Sequence, residues 1–114
     1  MTFQAVAPVD ELTDDAALAV EVESAGGDEV PVAIVQIDNE LFAVHDECSH
    51  GKVRLSEGDV DARKCVIECW LHGSAFDLRT GAAKTLPATQ PIATYPCKID
   101  DGQVWVDVDE PTNA

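Results

Sequence analysis

Apolar and polar residues alternate in short runs along this chain, and nowhere do the apolar ones sustain the 3.6-residue spacing of an amphipathic helix. Residues 16–23 (Ala-Ala-Leu-Ala-Val-Glu-Val-Glu) end in apolar/acidic alternation, which predicts a strand with one buried face, followed by a turn at Gly26-Gly27. Residues 30–37 are rich in β-branched side chains, with Pro31 near the strand start, where a missing amide donor matters least. Asp38-Asn39-Glu40 then predicts a tight turn into Leu41-Phe42-Ala43-Val44, so the two runs form a hairpin. Residues 64–69 and 75–78 predict two short strands separated by a loop, and 92–99 with 103–108 a second hairpin turned by Asp100-Asp101-Gly102. The nearest approach to a helix is Glu11 to Leu18, a single turn capped by Thr13. The pattern therefore predicts an all-β fold, a sandwich or small barrel, with residues 110–114 as a frayed tail.

Length and charge narrow the picture. A chain of 114 residues is one domain's worth, too short for two independent cores. Its 22 acidic residues against 7 basic ones give a formal charge of −15, which excludes a basic groove for nucleic acid. The charge is also unevenly placed. All seven cations (Lys52, Arg54, Arg63, Lys64, Arg79, Lys84 and Lys98) fall between positions 52 and 98, where five acids oppose them for a net +2; the two ends therefore carry −17. Either the acidity serves solubility or salt adaptation, or the middle segment is electrostatically distinct because it does something different. The N-terminus has no positive leader region, and no apolar run approaches the ~20 residues that span a bilayer, so the reading is a soluble, cytoplasmic monomer with no membrane partner. In a reducing compartment, four cysteines are better read as metal ligands or free thiols than as a disulfide frame.

Cys48-Ser49-His50 and Cys69-Trp70-Leu71-His72 are two Cys/His pairs, each in a loop after a predicted strand. A structural zinc site usually takes two Cys from one knuckle and two His from another, whereas here each loop supplies one of each. If the two thiolates converge on one metal and the two imidazoles on a second, each loop straddles two metal atoms, as in a [2Fe–2S] centre with His replacing Cys on one iron. A zinc-stabilised binding module is the alternative of a different class.

Cys48-Ser49-His50-Gly51 and Cys69-Trp70-Leu71-His72-Gly73-Ser74, followed by Phe76-Asp77-Leu78-Arg79-Thr80-Gly81 and Leu86-Pro87-Ala88, resemble the two cluster-binding boxes and following loop of Rieske-type [2Fe–2S] ferredoxins. The resemblance covers nearly the whole chain, including Leu55-Ser56-Glu57-Gly58, and is nearest to the ferredoxin components of bacterial aromatic-ring-hydroxylating dioxygenase systems. It implies a Rieske fold spanning 1–114, with a cluster-binding subdomain at 46–88 inserted in a β base formed by 1–45 and 89–109. It also implies one [2Fe–2S] cluster, with Cys48 and Cys69 on the inner iron and His50 and His72 on the outer, solvent-facing one. The implied role is that of a one-electron carrier from an NAD(P)H-dependent flavoprotein reductase to a terminal non-haem iron oxygenase, not an enzyme in itself; service in nitrite reduction or iron–sulfur assembly is the alternative pathway.

Around the ligands, Ser74 matches a hydroxyl that donates to a bridging sulfur in respiratory-chain relatives, while Phe76 stands where those have a tyrosine hydroxyl. Those relatives also brace the cluster with a disulfide, whose positions here hold Leu71 and Lys52 or its neighbours. The expected potential is therefore at the low end of the Rieske range of about −150 to +300 mV. Gly51 and Gly73 allow the backbone to approach the cluster closely. By the same pattern His45 is not a ligand, and Cys65 and Cys97 are free thiols, with a disulfide between them as the alternative. Trp70 shields the cluster or forms part of a docking face, and Trp105 belongs to the core.

Overall fold

The computed structural model describes residues 3–48, 53–71, 73–85 and 90–113. Ten strands follow in chain order: β1 (Gln4–Pro8), β2 (Ala17–Glu23), β3 (Glu29–Ile37), β4 (Glu40–His45), β5 (Val60–Asp61), β6 (Val66–Glu68), β7 (Ala75–Asp77), β8 (Thr94–Tyr95), β9 (Cys97–Asp100) and β10 (Gln103–Val106). The only helical elements among the described residues are two one-turn 3-10 segments, Val9–Glu11 and Leu55–Glu57. The fold is all-β, as the patterning predicts.

The strands form three antiparallel sheets, ordered β2-β3-β4-β8, β1-β10-β9 and β5-β6-β7. Both predicted hairpins are present. The β3–β4 turn places Asp38 and Asn39 at φ 49° and 68°, and the β9–β10 turn places Asp101 and Gly102 at 53° and 72°. Two successive residues of positive φ give the turn twist that matches flanking strands, and Asp, Asn and Gly tolerate it best.

β3 explains the longest apolar run in the chain. Val32, Ala33, Ile34 and Val35 are all fully buried because the central sheet is covered on both faces. Ala33, Val35 and Ile37 join Phe42, Val44, Ile67 and Phe76 in one apolar cluster, while Val32 and Ile34 face Ala43, Val104 and Val106 in another. The single core expected of so short a chain is thus divided by a sheet that contributes to both halves.

Several expectations change. Trp105 is only half-buried: Val104 and Val106 take the inward positions, so the two-residue period turns Trp105 outward, where its Nε1 donates to the Asp100 carbonyl at 3.1 Å. The predicted strand 92–99 is two strands in different sheets, because Pro96 lacks a donor and separates β8 from β9. β1 and β5 escaped the pattern, β1 because its ladder to β10 carries an irregularity between Ala5 and Ala7. The predicted helical turn at 11–18 shrinks to a turn in which the Thr13 carbonyl accepts from the Ala16 amide, with the 3-10 segment lying before it and β2 beginning at Ala17. Nor is the chain's end frayed at 112–113: the Thr112 amide donates to Thr94 O, and the Asn113 carboxamide donates to Thr80 O and Ile92 O and accepts from the Thr94 amide. No helix among the described residues is long and apolar enough to cross a membrane.

Candidate metal centre

Cys48 follows β4 and Cys69 follows β6, and their relative exposures are only 3% and 1%. Both side chains belong to the same apolar cluster, with Leu55, Ile67 and Phe76. None of the four cysteines is in a disulfide.

The two loops are closed in the same way. The Cys48 amide donates to the Val53 carbonyl at 2.9 Å, and the Cys69 amide donates to the Ser74 carbonyl at 2.7 Å. In each case the bond spans five residues and pinches off a four-residue tip. The first tip (Ser49, His50, Gly51 and Lys52) and His72 of the second lie outside the described residues, as do Leu86, Pro87 and Ala88 of the following loop. In the second tip the chain reverses at Gly73, whose φ of +72° strains any side-chain-bearing residue and whose amide donates to the Cys69 carbonyl at 2.9 Å. Trp70 and Leu71 stand out into solvent, 55% and 48% exposed, so Trp70 sits at the outer face and does not close over the buried thiols.

Three supports of these loops are not among the candidate ligands. Thr85 Oγ1 accepts from the Ala75 amide at 2.8 Å and donates to the Gly73 carbonyl at 3.3 Å, bracketing Ser74, whose side chain is fully buried. Asp46 accepts from both the amide and the hydroxyl of Ser56. Gly58, after the first loop, packs its backbone against Glu68, before the second. Gly58 and Ser56 lie in the stretch Leu55-Ser56-Glu57-Gly58 that shares in the resemblance, whereas Asp46 and Thr85 carry no signal beyond their distance from a candidate ligand in sequence.

The remaining candidates fall away from the centre. His45 Nδ1 lies 3.4 Å from the Tyr95 hydroxyl, consistent with a satisfied, non-ligand histidine. Cys97 packs in the cluster with Val104 and Val106, Cys65 in the one with Phe76, so the two are not paired. Burial pushes the Cys97 thiol up to about 11, and burial likewise raises Cys65.

Charge pairing crosses between the middle segment and the ends. Arg54 bonds Glu21 at 2.6 Å, and Arg79 makes a two-pronged pair with Glu40 while its guanidinium lies 5.2 Å from the Phe42 ring centroid. The Arg79 hydrogen bond holds the Glu40 carboxyl below its usual range. Two of the seven cations are thus matched by acids of the flanking scaffold.

Two thiols buried in one cluster, each at the neck of a pinched loop, fit a group that is anchored by sulfur on its inner side. The side chains of Trp70 and Leu71 leave the second tip open to solvent. The family profile of the Rieske [2Fe-2S] domain matches residues 2–96. This chain belongs to the Rieske family. Its similarity extends to named relatives: it is 50% identical over 100 residues to the anthranilate 1,2-dioxygenase ferredoxin subunit of Burkholderia cepacia, covering 88% of this chain and 86% of that one. Among solved structures, the ferredoxin of carbazole 1,9a-dioxygenase from Nocardioides aromaticivorans IC177 superposes with a TM-score of 0.81 at 30% identity, covering 94% of this chain and 98% of that one. A ferredoxin solved in a complex of reduced oxygenase and oxidized ferredoxin of carbazole 1,9a-dioxygenase gives 0.80 at 29% identity, with 95% and 94% covered. The Rieske domain accordingly takes one Rieske-type [2Fe–2S] cluster.

Proposed function

We propose that this Rieske protein is the ferredoxin component of an aromatic ring-hydroxylating dioxygenase system, a one-electron carrier and not itself a catalyst. It accepts an electron from an NAD(P)H-dependent flavoprotein reductase and passes it to a terminal non-haem iron oxygenase, working as a cytoplasmic monomer. The similarity to ferredoxins of anthranilate and carbazole dioxygenases supports the system, and the solved oxygenase–ferredoxin complex supports the kind of partner.

In this reading Cys48 and Cys69 hold the inner iron and His50 and His72 the outer one, with segment 46–88 as the cluster-binding subdomain on a base of 1–45 and 89–109. When bound, the cluster supplies reversible one-electron chemistry. The protein's part is to position, tune and present it. Burial of Cys48 and Cys69 would keep solvent from the cluster's inner side, and imidazole ligation by His50 and His72 would leave its outer side for a partner. With the cluster bound, the buried Ser74 would donate to its sulfurs, Gly51 and Gly73 would let the backbone approach it, and the exposed Trp70 and Leu71 would form the apolar rim of the docking face.

The observation that carries the reading is the matched pair of loop necks, each with a buried cysteine at its base. Aerobic purification tests it. A red-brown protein with two irons per chain, giving a rhombic electron paramagnetic resonance signal on reduction, is expected; a colourless protein holding one zinc overturns the reading.

A further inference from the structure

Asp46 is a carboxylate with no exposed surface, lying at the end of β4 two residues before Cys48. Its amide donates to the Pro31 carbonyl at 2.9 Å, which ties it to β3. Its Oδ1 accepts from the Ser56 amide at 2.6 Å and its Oδ2 from the Ser56 hydroxyl at 2.5 Å. Positions 46 and 56 lie on either side of the neck bond from Cys48 to Val53, so the base of the first loop is closed twice, once by backbone and once by this side chain.

A neutral acceptor could take the Ser56 amide, so closure alone does not require a charge here. Burying a carboxylate is costly unless it is paired and hydrogen-bonded. Among the described residues the pairing is incomplete. Arg54 Nη1 stands 3.6 Å from Asp46 Oδ2, while its Nη2 is held closer, at 2.6 Å, by Glu21. Arg54 and Glu21 are each a little under half exposed whereas Asp46 is fully buried, so the water that screens the first two does not reach the third. The trio of Asp46, Arg54 and Glu21 sums to one negative charge, and its negative member is the buried one at the loop base.

We propose that Asp46 is a positioning residue of the cluster centre that closes the Cys48 loop and, through its buried charge, lowers the potential of the group held there. The proposal rests on the reading of Cys48 and His50 as ligands. A fixed negative charge on the protein side opposes the arrival of an electron, and Arg54 offsets it in part. The two residues therefore act with opposite sign on the same quantity, which a purely structural role does not do.

The experiment compares Asp46→Asn and Arg54→Gln in the intact holoprotein. Asp46→Asn keeps an acceptor for the Ser56 amide and removes the charge; Arg54→Gln removes the offsetting cation from a half-exposed site. Protein-film voltammetry is expected to give a raised midpoint for Asp46→Asn and a lowered one for Arg54→Gln, with two irons per chain and an unchanged paramagnetic signal in both. Shifts of the same direction, or no shift in either, overturn the electrostatic role. If Asp46→Asn does not fold, an Arg54→Gln midpoint at or above that of the parent overturns it alone. Closure is read separately by amide exchange at Ser56, which Asp46→Ala should speed by about tenfold, the equivalent of one hydrogen bond. An unchanged exchange rate overturns the closure. A colourless wild-type protein would overturn the functional reading and the electrostatic role with it, while Ser56 exchange still decides the closure.

Discussion

A β-carbon at Gly58 would lie 1.8 Å from the carbonyl oxygen of Glu68 and 3.2 Å from the amide nitrogen of Trp70. Gly58 ends the segment that leaves the first loop, its amide bonded to Leu55 O, and Glu68 leads into Cys69. The two candidate ligand loops therefore meet backbone to backbone at this point, and any side chain would push them apart. Gly58→Ala is expected to cost about 2 kcal/mol or more, as overpacking does. Thermal unfolding should show a midpoint lower by roughly 10 °C. Cluster loss should quicken as well, and a variant with parental stability would mean that the two loops yield independently.

His72→Cys and Ser74→Ala probe the centre from two sides. The first replaces a neutral ligand by an anionic thiolate and is expected to keep a cluster while lowering its potential. The second removes a buried hydroxyl and is expected to lower the potential with iron content unchanged. Voltammetry with iron analysis checks both. An unmoved midpoint in His72→Cys would remove His72 from the ligand set, and in Ser74→Ala would mean that the hydroxyl points elsewhere.

The division of charge along the sequence into a scaffold of −17 and a middle segment of +2 predicts an oriented dipole. The pairs Arg54–Glu21 and Arg79–Glu40 straddle the boundary and soften it. Electron transfer to an oxygenase partner is therefore expected to slow as salt shrinks the screening length from about 30 Å at 0.01 M to about 3 Å at 1 M. Stopped-flow rates that stay flat across this range would return the acidity to solubility alone.

Asn113 joins three backbone groups, Thr80 O, Ile92 O and the Thr94 amide, and so staples the neck of the loop between Gly81 and Ile92. Asn113→Ala is expected to destabilise the fold by about 1–2 kcal/mol, the scale of a few partly exposed hydrogen bonds. Denaturant titration checks the magnitude. A change near zero would show that water replaces the staple without loss.

Cys97 binds its proton more tightly in the folded protein than in the unfolded chain, because burial raises the thiol from about 9 to about 11. The stability linked to that proton is fully present below about pH 9 and is lost as pH rises through about 11. Unfolding measured from pH 8 to 11 should show this decline, and Cys97→Ala should flatten it. For the same reason native Cys97 is expected to resist alkylation at pH 8, where unfolded protein reacts.

The hairpins, and the boxes that mark the candidate ligands, could be read from sequence because each rests on local chemistry. The run Val32–Val35 could only be a strand, Asp38-Asn39 and Asp101-Gly102 accept positive φ, and two Cys/His pairs in one short chain point to metal. What escaped was whatever depends on partners far along the chain. β1 exists because β10 is there to pair with it, Trp105 faces outward because Val104 and Val106 take the inside, and Asn113 is ordered by groups near positions 80 and 92.

By itself the sequence determined the all-β character, the candidate ligands and the family resemblance, since periodicity, turn chemistry and donor type are written within a few residues of each other. Only the tertiary structure decided that the central sheet divides the core, that Cys48 and Cys69 share one half of it, and that Asp46, Gly58 and Thr85 hold the two loops. Those contacts depend on segments brought together by burial of the central sheet on both faces, and burial is a property of the assembled chain.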